Sequence, residues 1–249
     1  MENTLLVGLS RQVALRRELD VIANNLANLN TTGFKGENVL FEQFLERRAR
    51  TDDFTSPIDR QVSFVLDRET RTDLSQGPFQ QTGSNLDLAI DGDGFFVVET
   101  PEGERYTRAG SFVLNTAGEL VTPAGFRVLG NAGPIVFDPN DTDFAIAADG
   151  TVSTREGERG RLRLVRFEDT AQLLKEGNNL FSSETAPQPA DVRTRVVQGS
   201  LEKSNVNPVL EIGRMIEVTR AYTTLANLMS RTDELRQSAI QQLADVPTN

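Results

Sequence analysis

From Asn207 to Val246 the apolar positions fall three and four apart, so that Met215, Val218, Tyr222, Leu225, Ala226 and Met229 gather on one side of a 3.6-residue helix. The spacing predicts one unbroken α-helix. Asn207 is placed to cap it, Pro208 sits where a missing N–H costs nothing, Glu211 lies near the positive end, and Pro247 marks the stop. At 1.5 Å per residue such a rod is about 60 Å long, more than the chain can cover without a second long helix. Asn3 to Asn28 supplies one, with no proline, one glycine at Gly8, and an exit through Asn28, Asn30 and Gly33. Its apolar residues form two faces. Leu5, Leu6, Leu9 and Val13 lie together; Leu15, Leu19, Ile22, Leu26 and Leu29 lie about 130° further round. One helical partner covers one seam, so the second face is expected to meet a neighbouring subunit.

Between the helices the period shortens. In the connector, Val39, Leu40, Phe41, Phe44 and Leu45 are expected to make a short amphipathic turn, and Phe64-Val65-Leu66 a short strand. Glu46 to Asp53 reads as a charged, solvated bend, because Arg47, Arg48 and Arg50 are flanked by Glu46, Asp52 and Asp53. From Gln76 to Gln198 short runs such as Leu86–Ile90 and Arg161–Leu164 alternate at period two. They are cut by turn signals at Asp91-Gly92-Asp93-Gly94, Pro101-Glu102-Gly103, Thr116-Ala117-Gly118, Pro123-Ala124-Gly125, Asn131-Ala132-Gly133-Pro134 and Asp149-Gly150. Only Thr170 to Lys175 is a candidate helix there. The pattern predicts an α+β fold: long N- and C-terminal α-helices paired as a coiled-coil-like stalk, with a central, mainly antiparallel β-domain. Expected boundaries are 1–34 for the first helix of the core, 35–75 for the connector, 76–199 for the β-domain and 200–249 for the second helix.

Composition removes most chemistries. With no cysteine and no histidine, disulfides, thiolate nucleophiles, the commonest general base and the commonest metal ligand are gone. A net charge of −10 argues against a nucleic-acid partner held through phosphates. Nearly all of the acidic excess falls in residues 73–199, leaving both ends close to neutral and suited to dense packing. No apolar run is long enough to span a bilayer, and Arg11, Arg16 and Arg17 are interleaved with the leucines rather than preceding them. A cleaved secretory signal is therefore not expected. Asp138, Asn140, Asp141, Asp143 and Asp149 invite a calcium loop, but the sixth position counted from Asp138 is Asp143 where a glycine is needed; surface turns are the expectation. Gly92-x-Gly94 lacks the third glycine and the helix of a dinucleotide site. No catalytic, cofactor-binding or metal-binding residue is assigned, and no cofactor is expected.

Asn25-Leu26-Ala27-Asn28 followed by Thr31-Thr32-Gly33-Phe34-Lys35 resembles the N-terminal signature of the flagellar axial proteins, the rod and hook components of the bacterial flagellum. The other end agrees. Gly199-Ser200-Leu201-Glu202-Lys203-Ser204-Asn205-Val206-Asn207, then Met215-Ile216 and Arg220-Ala221-Tyr222, resembles the same family's C-terminal signature. Asp91-Gly92-Asp93-Gly94-Phe95-Phe96 and Tyr106 to Phe112 resemble its central domain. The resemblance implies a structural rod subunit, nearer the proximal-rod branch than the distal-rod alternative because the connector carries no extended insertion. It further implies partners in copies of itself and other rod proteins, assembly into a helical structure that transmits torque, export through the flagellar type III apparatus, and a periplasmic place in the basal body. Assembly residues are then expected at Leu5, Leu9, Val13, Leu19, Ile22, Asn25, Leu26, Asn28, Gly33, Phe34, Met215, Val218, Tyr222, Leu225 and Met229, with Asn207 as the helix cap. The alternative from another class is a periplasmic β-rich glycan-binding or hydrolytic module dimerised by its helices, which requires a concave polar site on residues 76–198.

Overall fold

The computed structural model describes residues 2–46, 62–139, 141 and 143–244. Helix α1 spans Glu2–Ala27 and helix α2 spans Pro208–Ala244. Both are proline-free past their first residue, as their periodicity requires. The expected stop at Pro247, the bend over Arg47 to Asp53 and Asn140 lie outside the described residues. The chain divides into two units. One holds residues 1–26, 37–71 and 208–249; the other holds 27–36 and 72–207.

In the first unit the helices run side by side in opposite senses. Gly8 faces Met229, where an added Cβ would lie 3.3 Å from the sulfur. One turn on, Gln12 Nε2 donates to Tyr222 Oη at 3.1 Å. Burial raises the Glu18 carboxyl above its usual range, and Arg214 acts against that. The covered positions on α2 include Glu211, Met215, Val218, Tyr222, Leu225 and Met229, a three-four alternation. At 37 residues α2 is about 56 Å long. The unit also holds a two-stranded sheet of β1 (Glu37–Glu46) and β2 (Val62–Thr72). This corrects the expected amphipathic turn at Val39–Leu45. Its three-four spacing mimics a helix, but Val39, Phe41 and Phe44 favour extended backbone, and β2 supplies a partner strand that only long-range pairing reveals. The short strand expected at Phe64–Leu66 lies inside β2.

The second unit is built of short strands whose pairings are antiparallel throughout the described residues: one ten-stranded sheet, one of three strands and two of two. All six expected turns carry a glycine at positive φ, from Gly92 to Gly150. The strand Phe95–Thr100 shows how the core is organised. Phe96 and Val98 point into a cluster with Leu88, Ile90, Val128 and Val152, while Phe95 and Val97 point into a second with Tyr106, Phe167 and Phe181. A strand with both faces buried reads as a continuous apolar run, as Phe-Phe-Val-Val does. The helix expected over Thr170 to Lys175 is instead a single 3-10 turn, Thr170–Gln172, followed by a strand, Leu174–Glu176. Asp169 caps the turn by accepting from Ala171 N at 3.0 Å, and Leu174–Glu176 then pairs with Leu180–Ser182, a local hydrogen-bonding choice that ends the helix after one turn.

Candidate functional site

The three segments that carry the family resemblance meet inside the second unit. Lys35, from the N-terminal signature, and Glu202, from the C-terminal one, are both fully buried and form an ion pair at 2.6 Å. The ammonium also donates to Ser75 O at 2.7 Å, and the carboxylate accepts from Gly77 N at 2.8 Å. Arg108, from the central segment, approaches the other oxygen of Glu202 at 3.5 Å and lies 5.2 Å from the centroid of the Phe95 ring. Burial pulls both cations below their ordinary values, and Glu202 pulls them back.

Backbone bonds close the same junction. Gly33 N donates to Glu202 O at 2.8 Å, Lys203 N to Pro78 O at 2.9 Å and Asn205 N to Phe34 O at 3.4 Å. The Asn205 side chain accepts from Gly36 N at 2.8 Å and donates to Asp73 O at 2.8 Å. Lys175 covers the Phe34 ring, 3.7 Å from its centroid, and donates to Lys35 O at 2.9 Å. Gly33 is the hinge of the arrangement. Its φ is +66°, and a Cβ there would fall 2.4 Å from Ala109 N. Gly110 is as tightly constrained, its would-be Cβ lying 1.7 Å from Leu88 O.

The expected assembly residues divide by exposure. Asn25, Gly33 and Phe34 are buried. In the first unit the Asn25 amide forms a reciprocal pair with Glu37, accepting from its N–H at 2.9 Å and donating to its carbonyl at 2.8 Å, much as a strand partner would. Ile22 and Val218 are buried; Leu19, Leu26, Met215, Tyr222, Leu225 and Met229 are half-buried, as is Asn28 in its own unit. Leu9 and Val13, with neighbouring Leu6, are exposed at 51%, 59% and 54%; Leu5 lies in α1, and Asn207 directly precedes α2. The other face predicted for α1 is the covered one. Lys35, Arg108, Glu202 and Asn205 lie within the motifs, but their role emerges only in the folded chain.

The acidic residues weighed as a calcium loop are engaged separately. Asp138, Asp141 and Glu156 have carboxylate oxygens within 4.8 Å of one another, and the Arg159 guanidinium sits on all three at 2.8, 2.6 and 3.4 Å. Asp143 pairs with Arg155 at 2.7 Å, and Asp149 accepts from Thr151 N at 3.1 Å. Among the described residues no helix is long and apolar enough to cross a membrane.

Residues 5–35 match the flagella basal body rod protein family, 89–154 the D1 domain of flagellar hook protein FlgE/F/G, and 197–242 the C-terminal family of the flagellar basal body rod FlgEFG protein. The chain is 46% identical to the flagellar basal-body rod protein FlgF of Caulobacter vibrioides, over 99% of this chain and 100% of the relative. It is 37% identical to FlgF of Mesorhizobium japonicum over 98% of each. With the flagellar basal-body rod protein FlgG of Bacillus subtilis it shares 34% identity, over 96% of this chain and 98% of the relative.

Proposed function

The chain belongs to the flagellar basal-body rod proteins of the FlgF type, and on that premise we propose that the uncovered faces of its two terminal helices are the seams through which it assembles. It is a structural subunit of the rod and not an enzyme, and it works in the flagellar basal body. The observation that carries the assembly reading is the exposure of Leu6, Leu9 and Val13 as one stripe on α1, while the opposite stripe through Ile22 is covered. On α2, Leu228 and Leu235 are likewise exposed, about 20° apart around the helix.

Each such leucine contributes about 1.5–3 kcal/mol when fully buried, so a few per subunit, repeated along a filament, are enough to hold it together. Contacts between unlike faces of identical or related subunits generate an open helical array wherever their rotation does not close into a ring. The antiparallel α1–α2 pair acts as a coiled-coil-like stalk whose outer stripes meet copies of the chain and the neighbouring rod proteins, and stacked stalks carry the motor's torque. Identity to FlgF relatives above that to FlgG supports the proximal rod as its place. Transfer by the flagellar type III apparatus into the periplasm fits the interleaved charges of α1, which are unlike those of a secretory signal. Residues 1–26, 37–71 and 208–249 serve the stalk and its connector, with 27–36 and 72–207 as the β-domain.

Leu9→Asp tests this. The substitution places a charge on the uncovered stripe, and it is expected to abolish incorporation into basal bodies and swimming while leaving the thermal midpoint of the β-unit unchanged. Normal swimming by this variant would refute the reading.

A further inference from the structure

One buried carboxylate faces two buried cations, and the three come from distant parts of the chain. We propose that Glu202 is a folding latch: the β-unit cannot close over Lys35 and Arg108 until residues 200–205 are in place.

Both apolar clusters of the unit are made of residues no later than Val196. Hydrophobic burial alone would therefore let the unit collapse without the C-terminal signature. The charges oppose that collapse. Lys35 and Arg108 are 0% and 3% exposed; Lys35 hydrogen-bonds Glu202 and the carbonyl of Ser75, whereas Arg108 faces the other Glu202 oxygen at 3.5 Å without a hydrogen bond and donates to the carbonyl of Ile90. Asp73 and Asp93 act on them only at longer range. A buried charge deprived of its partner is strongly destabilising, whereas the intact pair is close to neutral. Because a chain is synthesised from its N-terminus, Lys35 and Arg108 both appear before Glu202. The unit thus stays open while the chain is incomplete, and the strand Ser200–Glu202, pairing with Phe79–Gln81, brings the anion that shuts it.

The stoichiometry gives an asymmetric test on the full chain, independent of any assembly assay. Glu202→Gln keeps an acceptor for Gly77 N and strands two like charges. Lys35→Met leaves Arg108 balanced by Glu202. Amide exchange at Ile90, Val98, Val128 and Val152 in Glu202→Gln is expected to speed up by on the order of a hundred- to a thousandfold. Lys35→Met alone is expected to do far less, and added to Glu202→Gln it is expected to restore protection in part, because one stranded cation, Arg108, remains of the two. The latch is overturned if Glu202→Gln opens only residues 33–36 and 200–205 with the core within a few fold of the parent, or if Lys35→Met does not improve the Glu202→Gln chain. Should Glu202→Gln yield no folded protein, the triple variant Lys35→Met/Arg108→Met/Glu202→Gln, which leaves none of the three charges, decides: folded, it supports the latch; unfolded, it overturns it.

Discussion

Gly33 admits no side chain, for two separate reasons: a left-handed φ of +66° and a neighbouring backbone nitrogen 2.4 Å from any Cβ. Gly33→Ala is expected to lower the urea-unfolding free energy of the β-unit by at least about 1–3 kcal/mol, whereas Gly83→Ala, with open space around its Cβ, is expected to cost less. A second consequence concerns acid. The hydrogen bond from Arg159 holds the Asp141 carboxyl below the usual carboxylate range, and Arg105 does the same for Glu176. Such groups bind protons more readily in the unfolded chain, so their stabilisation is full above about pH 4.5 and is lost as pH falls through the lowered folded values. Asp141→Asn is therefore expected to shrink the drop in thermal midpoint between about pH 5 and pH 2, and an unchanged drop would count against the assignment. At this scale the sequence showed which residues belong to signatures, not what they do. Lys35, Arg108 and Glu202 lie far apart in the chain, and nothing local announces that they share one buried site.

The helices were legible because a 3.6-residue period repeats along their length, and the predicted ends differ from Glu2–Ala27 and the start at Pro208 by one residue. The two faces of α1 were legible for the same reason, as was the expectation that α2 leaves one of them uncovered. The strand β1 was not, since Leu40, Phe41, Phe44 and Leu45 recur three and four apart as on a helix, and its partner β2 lies distant in the chain. The 3-10 turn at Thr170 was missed because a single side-chain bond from Asp169 settles it. A testable consequence lies at the far end of α2. With Gly8 facing Met229 and the helices antiparallel, residues of α2 beyond about 236 run past the first turn of α1, and Leu235 and Ile240 are exposed. Ordering a residue costs about 1–2 kcal/mol of backbone entropy, which exposed side chains do not offset. In the isolated chain, amide exchange is expected to be fastest there and slower around Val218. Uniform strong protection along α2 would contradict this.

At the scale of the whole chain, the β-unit takes residues 27–36 and 72–207, so it holds the 27–35 and 199–207 stretches of the two signatures, and neither of its apolar clusters includes a described residue of α2. A chain ending at Asn207 is expected to keep the cooperative unfolding of the β-unit, read by circular dichroism, while cells carrying it lose motility. Loss of both together would mean that the units are not separable. The apolar stripes on α1 and α2 give the account its central claim, that the lone subunit is unfinished and its neighbours complete it. Imaging of the intact basal body at side-chain resolution tests this most directly. Leu6, Leu9 and Val13 are predicted to be enclosed by side chains of adjacent subunits; if they face solvent in the assembled rod as they do in the single chain, the account fails.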